Sequence, residues 1–215
     1  MSKIPRPAMQ RMLPNWLCRL FPSGRPTPYG VLNYESKLLA ARALSLASGL
    51  NPPRFEFASL EFAESATGVI YKHLSFALGH LHPQTVAAQR FGLTLLIREL
   101  LVRELRVPAL FTAGFVYQKG ERLNYTPVER VEKLLRAHSV VTAEFPLHAW
   151  LTLPCHVIVD ATFWATFPNL ASKAERVRRG AIFNPAHAAE RSYHPQWAGE
   201  GVARSLGLLK EHEGW

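Results

Sequence analysis

The stretch Phe145-Pro146-Leu147-His148-Ala149-Trp150-Leu151-Thr152-Leu153-Pro154-Cys155-His156-Val157-Ile158-Val159-Asp160-Ala161-Thr162-Phe163 holds two runs of β-forming residues on either side of a Pro-Cys pair. β-branched and aromatic side chains suit a pleated surface, so strands are expected over 145–153 and 156–163. Pro154 and Cys155 form the turn between them, where a missing N–H donor does little harm. His148 and Asp160 then lie on one hairpin. A three-residue loop from Leu153 to Cys155 would set them directly opposite on the same face, where the carboxylate orients the ring and stabilises an imidazolium. A two-residue loop would send them to opposite faces. The sequence leaves that register open.

Upstream, the period changes from strand-like to helical. Leu38, Leu39, Ala41, Leu44 and Leu46 predict a helix from Tyr34 to Gly49, stopped by that glycine and by Pro52 and Pro53. A second helix is expected from about Ser59 to Leu78, weakened near Gly68. A third and longest begins at Pro83 and carries Val86, Phe91, Leu93, Leu96, Ile97, Leu100, Leu101 and Leu105, ending by Arg106. Ala109 to Tyr117 then reads as a strand, with Lys119, Gly120 and Glu121 as its turn. Thr126, Pro127 and Glu129 predict a capping box at the head of a helix from Pro127 to Ala137. Beyond the hairpin, a helix near Ala171–Arg179, a strand near Ala181–Phe183 and a helix from Val202 to Lys210 complete the reading. The expected fold is α+β, a helical N-terminal part packed on a small antiparallel sheet.

Composition agrees with one packed core. The 215 residues are 48% hydrophobic and 19% charged, a balance that excludes a chain disordered throughout. No window approaches the roughly 18 unbroken apolar residues that a membrane helix needs, and the start lacks the apolar region of a secretory signal. A soluble, cytoplasmic protein is expected. Two cysteines, Cys18 and Cys155, make neither a disulfide framework nor a structural zinc site.

The formal charge is +9 and is unevenly spread. Lys3, Arg6, Arg11, Arg19 and Arg25 meet no acid before Glu35, and Lys173, Arg176, Arg178 and Arg179 form a second basic run. Residues 1–33 also carry six prolines, from Pro5 to Pro28, and are expected to form an arm outside a single domain over 34–215. Within the arm Met9, Met12, Leu13, Trp16, Leu17, Leu20 and Phe21 recur at helical spacing. They anchor the chain to nucleic acid or an anionic membrane surface, or they pack the arm onto its own domain; the second is preferred, since apolar stripes commonly bury themselves.

Phosphate loops, dinucleotide fingerprints, HExxH and GxSxG are all missing, which removes the common phosphoryl- and hydride-transfer classes. His80 and His82 could join His73, or His148 and Asp160, around a transition metal. Histidines scattered at this density meet by chance, so loop and helix-cap roles are preferred and neither metal nor cofactor is expected.

Arg106-Val107-Pro108-Ala109-Leu110-Phe111-Thr112-Ala113-Gly114-Phe115-Val116 at the end of a long apolar helix, followed by His148-Ala149-Trp150 and Asp160-Ala161-Thr162, resembles the transglutaminase-like superfamily, relatives of the papain-like cysteine peptidases. The similarity covers 83–167 and rests on the order of three short motifs; it suggests a bacterial branch. It implies a papain-like core and a Cys-His-Asp triad whose cysteine stands early in the long helix, activated by the helix end and the imidazole. Family spacing puts that cysteine near Phe91, and no thiol occurs there. Thr94, the nearest hydroxyl, is a mid-helix residue that bonds back to its own backbone. Cys155 lies at the far end of the strand from His148. Cys18 is the remaining thiol, in the arm.

Three functional readings follow. The first is a transglutaminase-like protein without its nucleophile, binding a peptide or protein in a cleft lined by Phe91, Trp150 and Trp164. The second is a thiol hydrolase or acyltransferase using Cys18 with His148 and Asp160. The third is a basic module for nucleic acid or anionic membrane. Whether the protein is an enzyme stays open at this point, as does the plain alternative that His148 and Asp160 only brace the sheet.

Overall fold

The computed structural model describes residues 29–58, 64–106, 108–185 and 190–209. Its first helix, α1 (Tyr29–Ala47), is already formed ahead of the expected Tyr34. Its end is as the sequence predicts. Gly49 takes φ +75°, and Leu50 N–H returns to the Ser45 carbonyl at 2.9 Å, closing a glycine-capped helix terminus. The helix α2 (Glu64–Leu78) runs through Gly68 without a break; the expected start at 59–63 lies outside the described residues.

The expected long helix is two pieces, α3 (Pro83–Ala88) and α4 (Arg90–Leu105), divided at Gln89 with φ −101° and ψ 18°. Pro83 occupies the first turn of α3, where its absent N–H has no helical acceptor to lose. Apolar residues surround α4. Phe91 belongs to one buried cluster and Leu93, Ile97 and Leu101 to another, so opposite sides of the helix are enclosed. Arg106 ends it in the left-handed region.

Six antiparallel strands form the sheet: β1 (Leu110–Gln118), β2 (Glu121–Leu123), β3 (His148–Thr152), β4 (Ile158–Asp160), β5 (Ala181–Phe183) and β6 (Arg191–Ala198). β1 is central. Its first half pairs with β3 and its last three residues with β2 on one edge, while β6 takes the other; β4 and β5 continue beyond β3. The β1–β2 turn is the two residues Lys119 and Gly120, both at positive φ, the conformation that matches strand twist in tight hairpins.

Between the strands lie α5 (Val128–Arg136), α6 (Phe163–Thr166), α7 (Lys173–Arg178) and, after β6, α8 (Gly201–Ser205). No capping box opens α5. Pro127 is its N-cap, and the Thr126 hydroxyl instead donates to the Pro146 carbonyl at 2.6 Å, tying the loop ahead of β3. A capping box does form on α7, where Ser172 and Glu175 exchange bonds. The last helix ends at Ser205, short of the expected Lys210, which lies outside the described residues.

Sequence reading missed β6 altogether. Pro195 interrupts it, and the register slips between Ala113 and Gly114, so that Gln196 is an extra residue between Pro195 and Trp197. A proline without an N–H is tolerated at such an edge-strand bulge. Gly114 leaves the necessary space, since a Cβ there would sit 2.1 Å from the His194 carbonyl oxygen.

Candidate functional site

The β3–β4 hairpin pairs Leu151 with Val159 and Thr152 with Ile158. Its loop is therefore centred on Cys155, one residue later than the loop that would set His148 across from Asp160. His156, at φ +67°, completes the turn by donating its N–H to Leu153 at 2.9 Å. The shift carries Asp160 opposite Trp150, two residues along from His148. Because it moves the register by an even number of positions, both side chains keep the same face, and they meet diagonally. His148 Nε2 lies 2.7 Å from Asp160 Oδ2, with both side chains 0% exposed.

Four donors converge on that carboxylate. Oδ1 accepts the backbone N–H of Thr162 at 3.0 Å and of Phe163 at 2.9 Å, bonds that turn the chain out of β4 and into α6. Oδ2 accepts the Tyr193 hydroxyl at 2.9 Å beside His148. Burial alone would raise the Asp160 pKa; the His148 ring, by charge and hydrogen bond, with the Thr162 N–H and the Tyr193 hydroxyl, holds it below the usual carboxylate value. Burial and the adjacent Asp160 charge push the Tyr193 phenol well above its ordinary value.

A carboxylate has no proton to give, so His148 carries hydrogen on Nε2, and in the neutral ring Nδ1 is the lone-pair nitrogen. That Nδ1 is buried and has no hydrogen-bond partner among the described residues. Around the ring stand Phe167 at 5.6 Å, Trp150 at 6.2 Å and Phe163 at 6.2 Å between centroids.

Arg90 fixes the approach to β3. Its guanidinium donates to the carbonyls of Ala87, Ala143, Phe145 and Leu147, at distances from 2.5 to 3.2 Å. Burial lowers its pKa to about 10. A second network supports the other end of the strand. Trp150 Nε1–H donates to the Tyr34 hydroxyl at 2.8 Å, which lies 2.6 Å from the Thr152 hydroxyl, itself 2.9 Å from Thr112. Burial raises the Tyr34 phenol out of its ordinary range.

Of the expected site residues, His148, Asp160 and Trp150 come together. Trp164 is buried nearby with its indole N–H on the Ala161 carbonyl at 3.0 Å and the Arg179 guanidinium 4.6 Å from its ring. Phe91 does not join them; it packs in the cluster of Phe111, Leu147, Ala149 and Trp197, and Ala149 leaves β3 on the face opposite His148. Cys18 and the arm's apolar stripe lie outside the described residues. Thr94 donates to the Arg90 carbonyl at 2.8 Å, as a mid-helix threonine does. Cys155 sits in the hairpin loop, its thiol pushed up by burial. His82 takes the N-cap position of α3 but makes no side-chain cap bond. Among the described residues no three His, Cys, Asp or Glu side chains converge as metal ligands, and no helix is long and apolar enough to cross a membrane.

Tyr193, Tyr34 and Arg90 were missed in the sequence. Tyr193 lies in the unrecognised strand, Tyr34 marks only a helix start, and Arg90 sits in an apolar run, with three of its four carbonyl partners more than fifty residues away. No local pattern marks any of them. The chain matches no protein-family model, no curated protein and no solved structure.

Proposed function

We propose that this is a transglutaminase-like, papain-like domain that keeps the acid and base of a thiol triad, lacks the nucleophile, and serves to bind a peptide or protein. The observation that carries the reading is the buried His148–Asp160 pair, its Nδ1 unpartnered among the described residues. In a Cys-His-Asp arrangement the carboxylate holds one ring nitrogen and the thiol addresses the other. Here the first contact is present, and the rings placed around His148 are carbon side chains. The imidazole is also wholly buried.

The test is turnover. Wild-type protein and His148→Ala are assayed for hydrolysis of fluorogenic peptides and for incorporation of a dansylated amine into casein. Equal, background rates are expected; a wild-type rate that vanishes in His148→Ala overturns the proposal. The same unpaired nitrogen favours one second reading, in which Cys18 supplies the thiol. Turnover lost both in His148→Ala and on replacing Cys18 by serine would establish it.

A further inference from the structure

Two of the molecule's basic regions differ in what their cations already touch. In the run after Ser172, Arg176 donates to the carbonyls of Pro168 and Ala171, Arg178 lies over the Tyr71 ring and Arg179 over Trp164. At the outer end of the sheet cations also meet aromatic rings, but there the rings belong to a partly exposed strand face.

The odd-numbered side chains of β1 emerge from their helical cover as the strand runs outward. Phe111 and Ala113 are buried, Phe115 is half-buried and Tyr117 is 41% exposed. On the same face, Tyr117 stands between Arg122 of β2 and Ser192 of β6, and Phe115 stands beside His194. Phe115 stacks on His194 at 4.6 Å and meets Tyr125 edge-on at 4.9 Å. The Arg122 guanidinium lies 4.8 Å from the Tyr125 ring and 5.8 Å from Phe115. Lys37 reaches across from α1 to within 3.4 Å of His194 Nδ1, and the Ser192 hydroxyl lies 2.9 Å from Nε2.

Among the described residues neither Lys37 nor Arg122 forms an ion pair. Burial and these two cations together depress His194 to about 4, so at neutral pH the ring is an uncharged surface flanked by two positive charges. Aromatic rings on a partly exposed sheet face, beside cations that make no ion pair among the described residues, match what single-stranded nucleic acid offers, a flat base and a phosphate in each unit. A duplex would hide its base faces, and a membrane would call for a continuous apolar face, whereas here Tyr117 and Tyr125 carry hydroxyls and Arg122 and Lys37 stand among the rings.

We propose that the β1–β2–β6 corner binds single-stranded nucleic acid, with bases stacking on Tyr117 and the neighbouring rings and phosphates held by Lys37 and Arg122. This surface is separate from the His148–Asp160 pair, and substitutions there leave it unchanged.

The experiment is fluorescence anisotropy of the full chain with a labelled oligouridylate of about twelve nucleotides, a length within the range of such platforms. Tyr117→Ala is expected to weaken binding about tenfold through lost stacking. Lys37→Gln with Arg122→Gln should weaken it about tenfold or more and flatten the slope of log affinity against log salt by about 0.7 for each phosphate no longer neutralised. Heparin, a polyanion without bases, should respond to the double charge variant and ignore Tyr117→Ala. All three positions are half-buried or exposed, and unchanged thermal melting confirms that the variants fold. Oligonucleotide affinity equal in wild type and variants overturns the proposal. So does a heparin loss in Tyr117→Ala as large as the oligonucleotide loss, or phosphatidylserine vesicles that sense these substitutions while the oligonucleotide does not.

Discussion

Tyr193 donates its hydroxyl to Asp160 Oδ2 at 2.9 Å although β1 and β3 stand between their strands in the sheet. The phenol ring spans that gap over the sheet face, 5.1 Å from Trp150 and 5.3 Å from Phe183. Strand β6 thus meets the His148 pair through one side chain. Hydrogen bonds to a charged acceptor contribute about 1.5–3 kcal/mol, so Tyr193→Phe, which keeps the ring, should lower unfolding free energy by roughly that amount. Urea denaturation measures it; a loss below about 0.5 kcal/mol would mean the carboxylate is satisfied without the phenol.

Acid should unfold the protein through two groups with depressed folded-state pKa values. Asp160 is held below its ordinary 3.8, so its contribution is present above that value and lost as pH falls through the lower folded-state pKa. His194 is depressed from 6.5 to about 4, so between those values the unfolded chain takes up a proton that the folded one refuses, and stability declines across that window. Melting temperature should therefore fall in two stages on acidification. His194→Gln should remove the upper stage and Asp160→Asn should flatten the lower one. At the alkaline end Tyr193 is raised, so its contribution is full below about 10 and declines above it.

How much of this was legible depended on whether the signal was local. The glycine stop of α1 and the strand Ala181–Phe183 each rest on two or three adjacent residues, and each stands where the sequence places it; the turn expected over Lys119, Gly120 and Glu121 is two residues long, and Glu121 instead opens β2, a strand the sequence pattern does not mark. Whether His148 and Asp160 share a face was not legible, because two- and three-residue loops give opposite answers; the register that forms keeps them on one face, with His156 at positive φ moving the loop centre to Cys155. Thr126 shows the converse. Its capping-box pattern is good, yet the Pro146 carbonyl takes the hydroxyl, and tertiary demand overrides the local motif. β6 was illegible because its alternation is broken by Pro195 and by a bulge that only makes sense against Gly114.

Arg90 gives a prediction about how His148 is presented. Its fork holds three carbonyls of the loop 143–147 as well as that of Ala87, and a buried acceptor left unpaired costs about 1–3 kcal/mol. Arg90→Met keeps the apolar stem and removes every donor, so a loss of roughly 3 kcal/mol or more is expected. Lysine cannot restore the planar fork and should recover only part of it. Amide hydrogen exchange should quicken first at 145–148, ahead of β4. Uniform loss of protection across the sheet would instead mean that Arg90 supports the core as a whole.

Gly114 and Gly92 offer a matched pair of glycine-to-alanine changes with opposite expected signs. At Gly114 the new Cβ would lie 2.1 Å from the His194 carbonyl oxygen and 3.0 Å from Gln196 N, both backbone atoms of β6. Neither can yield without prising β6 from β1 at the bulge. A loss of about 3 kcal/mol or more is expected, in the range reserved for backbone displacement in a packed sheet. At Gly92, exposed in α4, nothing lies within 4 Å of the added Cβ. Removing helical glycine there should stabilise by about 0.5–1 kcal/mol. Parallel thermal melts test both signs. Because the Gly114 change bears on the His194 backbone, it should also move that ring relative to Lys37 and raise its titration from about 4 toward 6.5. An unaltered His194 titration in a destabilised Gly114→Ala would show that β6 moves as a rigid strand together with α1, carrying Lys37 with it.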